Sequence, residues 1–255
     1  MSDFSLAIAT PSHYGSFCAD YVRSLFRLQD YCRDQNIEIN LLLTAGISVL
    51  DYARNHLASQ FLWQTECSHM LFIDDDMGFN VDDLTRMLEW RDYDVVGALY
   101  PKKALNWKRV KQAVLENPEI DPKVLPRLTG DYFEMFKTLE GVDVDVTTAC
   151  QPVRVHVVAT GLMMISRRCL THLIEKAQLP KVTVASQDAD ASIHHPTYEF
   201  FKTSQINGKM SGEDYYFCSL VNRNGGAVYG CPWVAVTHVG KYPFIGDLPG
   251  IARYL

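Results

Sequence analysis

Apolar residues in the first hundred positions alternate between short unbroken runs and longer stretches with helical spacing. The run Phe4-Ser-Leu-Ala-Ile-Ala-Thr10 reads as a strand, stopped by Pro11. Residues 15–35 carry Tyr21, Leu25 and Leu28 on one helical face, and residues 37–44 form a second strand rich in Ile and Leu, ended by Gly46. Residues 47–63 repeat apolar positions every four residues at Val49, Ala53, Leu57 and Phe61, the buried side of a second helix. A third strand, Met70 to Ile73, ends abruptly in Asp74, Asp75 and Asp76. Residues 81–90 are a third helix, with Asp82 and Asp83 in the first turn, where the helix dipole favours acids. Residues 95–100 are a fourth strand, closed by Pro101. This alternation predicts an α/β fold with an open, mostly parallel central sheet flanked by helices.

The pattern loosens over residues 102–152. Trp107–Glu116 reads as a helix, residues 117–126 as a Pro-broken connector, residues 132–139 as a short helix and residues 142–146 as an edge strand or loop. Order returns with a β-branched strand over residues 153–159, continued or bent at residues 161–166, and a helix over residues 167–177. Residues 180–197 are polar, contain His194 and His195, and read as a loop. A short strand follows over residues 198–202, then a helix over residues 211–224 ended by Gly225 and Gly226. Late strands lie at residues 227–229 and 234–237, and the tail from His238 to Leu255 lacks periodicity. There is no internal repeat. The organisation expected is one domain of three stretches: a nucleotide-binding half over residues 1–103, an inserted connector over 104–152, and an acceptor-side half with a tail that completes the site over 153–255.

Composition narrows the function. At 255 residues and 47% apolar, the chain can bury a full core. A net charge of −6 removes the electrostatic case for nucleic acid, so no such partner is expected. No apolar run approaches the ~20 residues of a membrane span, and the start Met-Ser-Asp-Phe has neither a basic region nor a signal-like apolar core. The seven cysteines include no CxxC pair, which disfavours zinc and fits buried free thiols in a reducing compartment. A cytoplasmic protein without a transmembrane segment is expected.

Four stretches carry candidate chemistry. Three adjacent carboxylates repel one another unless a cation or a set of donors holds them. Strand alternation would put Asp74 and Asp76 on one face and Asp75 on the other. The carboxyl end of a buried strand is where open α/β sheets bind ligands. The acids thus read either as a divalent-metal site holding a polyphosphate or as a solvated turn before a helix, with Asp76 or Asn80 as N-cap. Glu213 and Asp214 open an amphipathic helix. Ser211 and Asp214 have capping-box spacing, and a carboxylate fixed at a helix start also suits a general base. His238 follows an apolar strand, as a structural residue or as the ligand that completes a metal shell, where imidazole plus carboxylate suits Mn²⁺ and an all-oxygen set suits Mg²⁺ better. Arg54, inside the second helix, is a solvated residue, or one that reaches a phosphate or anchors an acid.

Taken in chain order, Phe72-Ile-Asp-Asp-Asp-Met77, Gly161-Leu-Met-Met-Ile165, Gly212-Glu-Asp-Tyr215 and Thr237-His-Val-Gly240 resemble the GT-A-fold, DxD-containing glycosyltransferases of the family 2 type. The resemblance spans roughly residues 4–101 and 153–240. It implies a metal-dependent glycosyltransferase that moves a sugar from a nucleoside-diphosphate sugar, UDP- or GDP-linked, to a hydroxyl group of a glycan or other acceptor. On this reading Asp74, Asp76 and His238 hold Mn²⁺ or Mg²⁺. Thr10, Pro11, Arg54, Asp74, Asp75 and Gly161 meet the donor, with Gly161 letting backbone approach the sugar. Asp214, beside Glu213, is the base of an inverting transfer. Two other readings compete. A sugar nucleotidyltransferase would need a basic Gly-rich loop after the first strand, where residues 10–16 carry no Lys or Arg. A non-catalytic nucleotide-sugar or carbohydrate binder would bind donor without turnover.

Overall fold

A computed structural model describes residues 4–130, 132, 149–182, 196–206, 208–240 and 244–252. The expectations for residues 133–139, 142–146, His194 and His195 lie outside the described residues. The first half comprises β1 (Ser5–Pro11), α1 (Ala19–Asp34), β2 (Glu38–Thr44), α2 (Leu50–Gln64), β3 (His69–Ile73), β4 (Met77–Phe79), α3 (Val81–Leu88) and β5 (Val95–Ala98). The middle contributes α4 (Trp107–Glu116), α5 (Leu125–Leu128), β6 (Val153–Arg154), β7 (Leu162–Ser166) and α6 (Arg167–Ala177). The last part comprises β8 (Lys181–Val182), β9 (Thr197–Tyr198), β10 (Ser204–Ile206), β11 (Lys209–Ser211), α7 (Glu213–Arg223), β12 (Val228–Cys231), β13 (Val236–His238), β14 (Phe244–Gly246) and α8 (Leu248–Ile251). Among the described residues no helix is long and apolar enough to cross a membrane.

The central sheet has seven strands in the order β2-β1-β3-β7-β5-β12-β6. β1 runs parallel to β2 and β3, and β12 parallel to β5. β7 is antiparallel to both its neighbours, and β6 is antiparallel to β12. Five of the seven strands therefore point one way, and the sheet is mostly parallel as expected. The reversed strand in its middle positions the site. Leu162 pairs with Ile73, and the Asp74 amide donates to the Gly161 carbonyl at 3.1 Å. The chain thus enters the sheet beside the acidic end of β3, bringing residues 160 and 161 against Asp74.

Residues 155–159, expected as strand, leave the sheet after β6. Val155 still donates to the Val228 carbonyl at 3.0 Å. Val158 then lies against Gly97 of β5, where a Cβ would come within 2.8 Å of it. Past Val155 the segment crosses the core, and Val157 and Val158 are buried there without strand pairing. α2 differs from its expected pattern as well. Ala53, Leu57 and Phe61 are buried, but Val49 is an exposed N-cap, and the polar Arg54, Asn55 and Ser59 are buried too. Asn55 exchanges two hydrogen bonds of 2.8 Å with the backbone of Phe201, and Ser59 Oγ accepts from the Tyr198 amide at 3.1 Å. Buried polar groups need such partners, and here they dock β9 and the residues after it onto α2. The Arg167 guanidinium closes the other end of α2. It donates to the carbonyls of Phe61, Leu62, Thr65 and Cys67 at 2.8–3.2 Å, satisfying groups a helix C-terminus leaves open.

The late strand expected at residues 234–237 appears as β13, and the tail beyond it, read as aperiodic, adds β14; with β4 they form a second small sheet, β14-β13-β4, in which β13 is antiparallel to both partners. His238 pairs with Met77, and the Val239 amide donates to the Asp76 carbonyl at 2.8 Å, which fixes the tail to the acidic turn. The seven cysteines are free, and five of them are buried.

Candidate functional site

The three acids leave the strand in a tight turn. β3 ends at Ile73, and the Met77 amide donates to the Asp74 carbonyl at 3.0 Å. Strand alternation therefore stops at Ile73, and the expected shared face of Asp74 and Asp76 is not formed, because a turn sends successive side chains in unrelated directions. Each acid has its own partner.

Asp74 turns to α2. Arg54 Nη2 donates to Asp74 Oδ1 and Oδ2 at 3.0 and 3.2 Å, and Arg54 Nε donates to Glu213 Oε1 at 3.1 Å. Arg54 is 1% exposed. Burial alone would lower its pKa, but Asp74 and Glu213 outweigh that and raise it, so the guanidinium stays charged. One buried cation thus ties the end of β3 to the start of α7. Its Nη1 is buried without a hydrogen-bond partner among the described residues.

Asp75 lies with Ser12 at the end of β1, and its carbonyl accepts from the Cys18 amide at 2.9 Å. Burial, followed by the charges of Asp76 and Asp74, raises its pKa. Thr10 is fully buried and its hydroxyl bonds the Tyr21 hydroxyl at 2.8 Å, so its side chain secures α1 against the sheet. Pro11 is buried beside it. The loop that begins at Ser12, with Tyr14 85% exposed, forms the open wall at this end of β1.

Asp76 turns toward β13 and the loop after β5. Lys103 Nζ sits on Asp76 Oδ2, and His238 Nε2 is 3.5 Å from Asp76 Oδ1. Burial pushes this carboxyl's pKa up, but His238 and Lys103 together hold it below the usual range. His238 Nδ1 lies 3.3 Å from the Pro101 carbonyl, which can only accept, so Nδ1 carries a proton. His238 Nε2 then faces Asp76 Oδ1, an oxygen that is buried and without a hydrogen-bond partner among the described residues. With Nε2 protonated the two side chains form an ion pair; with Nε2 deprotonated, a metal cation would take the proton's place between them. A hydrogen bond of this kind at one ring nitrogen is what orients a histidine whose other nitrogen binds a metal. Asp76 and His238 therefore fit a divalent ion, whereas Asp74, drawn to Arg54, does not join them. Among the described residues no group of three or more His, Cys, Asp or Glu is arranged to hold a metal by itself.

Glu213 and Asp214 have different surroundings. Glu213 accepts from Arg54 and from the Thr160 hydroxyl at 3.1 Å. Asp214 Oδ1 accepts from the amide of Tyr215 at 2.8 Å, and no cation is paired with this carboxylate among the described residues. The expected capping box does not form. Ser211 belongs to β11, Gly212 is the N-cap, and no side chain caps the helix. A Cβ on Gly212 would come within 2.7 Å of Asp214 Oδ1, so the glycine makes room for the carboxylate to fold back. Burial, then the charge of Glu213, raises the Asp214 pKa to about 6. A helix start favours the ionised carboxylate, but here desolvation prevails.

Gly161 also makes room, but for protein groups. A Cβ there would fall on the Tyr100 hydroxyl and within 2.9 Å of Asp74 Oδ2. The Gly161 amide donates to the Tyr100 hydroxyl at 2.9 Å. The Tyr100 ring stands edge-on to His238 at 5.5 Å, linking the surroundings of Asp74 and His238. Sequence reasoning missed Tyr100, Lys103 and Thr160. The readable signal for Lys103 was a basic pair directly after a strand-ending proline; Tyr100 and Thr160 carried none.

No family model and no curated protein matches the sequence. Among solved structures, the chain is similar to the A197 protein from STIV, at 13% identity and a TM-score of 0.46 over 96% of this chain and 95% of that one. It is similar to TarS of S. aureus at 12% identity and a TM-score of 0.41, over 89% of this chain and 35% of TarS. It is also similar to a glycosyltransferase involved in the glycosylation of the major capsid of PBCV-1, at 10% identity and a TM-score of 0.28, over 66% of this chain and 62% of that one. The chain spans about a third of the length of TarS. At such distances the chemistry has to be argued from the site's own residues.

Proposed function

We propose that the chain is a metal-dependent glycosyltransferase that moves a sugar from a nucleoside-diphosphate sugar to a hydroxyl acceptor with inversion. The observation that carries this reading is the pairing of two features at one end of the sheet. Asp76 Oδ1 is unpartnered and faces Nε2 of His238, and Asp214, a carboxyl raised to about 6, is connected to the same turn through Glu213, Arg54 and Asp74.

Asp76 and His238 would hold Mn²⁺ or Mg²⁺, whose charge, when bound, stabilises a diphosphate leaving group. Two protein ligands leave positions open for phosphate oxygens. Arg54 Nη1, buried and without a hydrogen-bond partner among the described residues, would donate to an oxygen of the donor. Asp75 and the loop from Ser12 border the place for nucleoside. Arg54 and Thr160 fully engage one oxygen of Glu213, which makes Glu213 the positioning residue and Asp214 the base. Asp214 accepts the acceptor's hydroxyl proton as the new bond to the anomeric carbon forms. With a pKa of about 6 it is ionised at neutral pH and remains a stronger base than an ordinary carboxylate.

Slow hydrolysis of the donor tests this reading without knowledge of the acceptor. Incubated with α-linked UDP- or GDP-sugars and Mn²⁺, the protein should release nucleotide and a free sugar whose first-formed anomer is β by proton NMR. Release of the α anomer would contradict inversion, and formation of sugar 1-phosphate would indicate nucleotidyl chemistry instead.

A further inference from the structure

The loop after β5 places Lys103 where no metal-site reading of the sequence had put a residue. Its ammonium rests on Asp76 Oδ2, while Oδ1 of the same carboxylate faces His238. Both side chains are partly open to solvent, at 36% for Lys103 and 30% for Asp76, so the pair can separate without breaking the core. The surroundings explain why a cation is needed at this spot. The turn and the start of α7 bring together Asp74, Asp75, Asp76, Glu213 and Asp214, and among the described residues Arg54 and Lys103 are paired with these acids, with His238 beside Asp76. Arg54 is buried and committed to Asp74 and Glu213. Lys103 is the one that is partly exposed.

We propose that Lys103 is an exchangeable counter-ion. It neutralises Asp76 before the metal arrives, competes with the metal for that carboxylate, and transfers to the donor's diphosphate once Asp76 is coordinated. This inference rests on the metal–diphosphate reading of the site. The physical basis is charge alone. A divalent ion bound at Oδ1 and Nε2 repels an ammonium on Oδ2 of the same carboxyl group, and the incoming diphosphate offers that ammonium a new partner on a flexible four-carbon stem.

The exchange makes metal affinity and nucleotide affinity respond in opposite directions, which a merely structural residue would not do. For the full chain, Mn²⁺ binding without nucleotide is followed by EPR of the free ion, and UDP and GDP binding at saturating Mn²⁺ by calorimetry. Lys103→Met should bind Mn²⁺ alone about tenfold more tightly than wild type, and its preferred nucleotide about tenfold more weakly. Lys103→Arg should stay near wild type in both, and both variants should melt as wild type does. Unchanged or weaker Mn²⁺ binding by Lys103→Met, with wild type still binding the ion, would overturn the exchange and leave the site reading intact. If wild type takes up no Mn²⁺ with or without either nucleotide, the site reading fails and the exchange fails with it.

Discussion

Asp214→Asn is expected to abolish transfer while making the protein more stable. The side chain sits at the start of α7 and accepts the Tyr215 amide, a bond the asparagine oxygen can keep, so the fold has no reason to change. What is lost is the proton acceptor, and removing a general base lowers kcat by about 10²–10⁴-fold. The stability gain follows from the raised pKa. An unfolded aspartate titrates near ~3.9, and burial and Glu213 move Asp214 to about 6 in the folded protein. Between those values the folded state binds more protons than the unfolded one, so stability falls as pH rises from about 4 to about 6 and stays lower above. A neutral asparagine does not pay this penalty, and the variant should gain on the order of 1–2 kcal/mol at pH 7 and nothing near pH 4. In wild type the acid limb of kcat/KM should lie near pH 6, with rates dropping about tenfold per pH unit below it. Denaturant melts at pH 4 and pH 7 beside a transfer assay check all three. A variant that turns over normally, or one stabilised equally at both pH values, would remove Asp214 from the base role.

Arg54→Met should cost the protein about 3–5 kcal/mol, the scale for removing one member of a buried ionic set. The guanidinium is 1% exposed and joins two acids that are 20 and 159 positions away in the chain. Without it Asp74 and Glu213 face each other with little solvent to separate them, and the start of α7 loses its tie to β3. The fork of the guanidinium matters as well as its charge, since Nε serves Glu213 while Nη2 serves Asp74. An ammonium cannot span both, so Arg54→Lys should recover only part of the stability and little of the donor binding. Urea unfolding of the two variants, followed by nucleotide titration of the folded fraction, separates these effects. Wild-type stability in Arg54→Met would show that the bridge carries no weight.

The first half of the fold was legible because each element there has its own periodicity. The strand ending at Ile73 appears where the pattern put it, and beyond the first half so does the helix over Trp107–Glu116. The direction of β7 was not legible. An apolar run states that it is buried, but not which way it runs between two neighbours. The late strand expected at residues 234–237 appears as β13, but the tail hid β14, which at three residues is too short for alternation to show. At the site, residue types were readable and pairings were not. Asp74, Asp76, Glu213, Asp214, His238 and Arg54 were all singled out, but the turn at residues 74–77 separates acids that a strand would have kept together. That turn is set by a backbone hydrogen bond that leaves no mark in composition. Capping and catalysis by Asp214 likewise looked compatible in sequence. The structure assigns the cap to Gly212 and leaves the carboxylate unspent.

The central claim is that Asp76 and His238 hold the metal that receives a nucleoside-diphosphate sugar. Thermal melting of wild type and Asp76→Ala with UDP-, GDP-, CMP- and dTDP-sugars, each with and without Mn²⁺, tests it most directly. One nucleotide family should raise the wild-type midpoint, only when Mn²⁺ is present, through the stabilisation that a ligand confers on the state it binds. Asp76→Ala should not respond. No shift in wild type with any donor, or an equal shift in Asp76→Ala, would contradict the account.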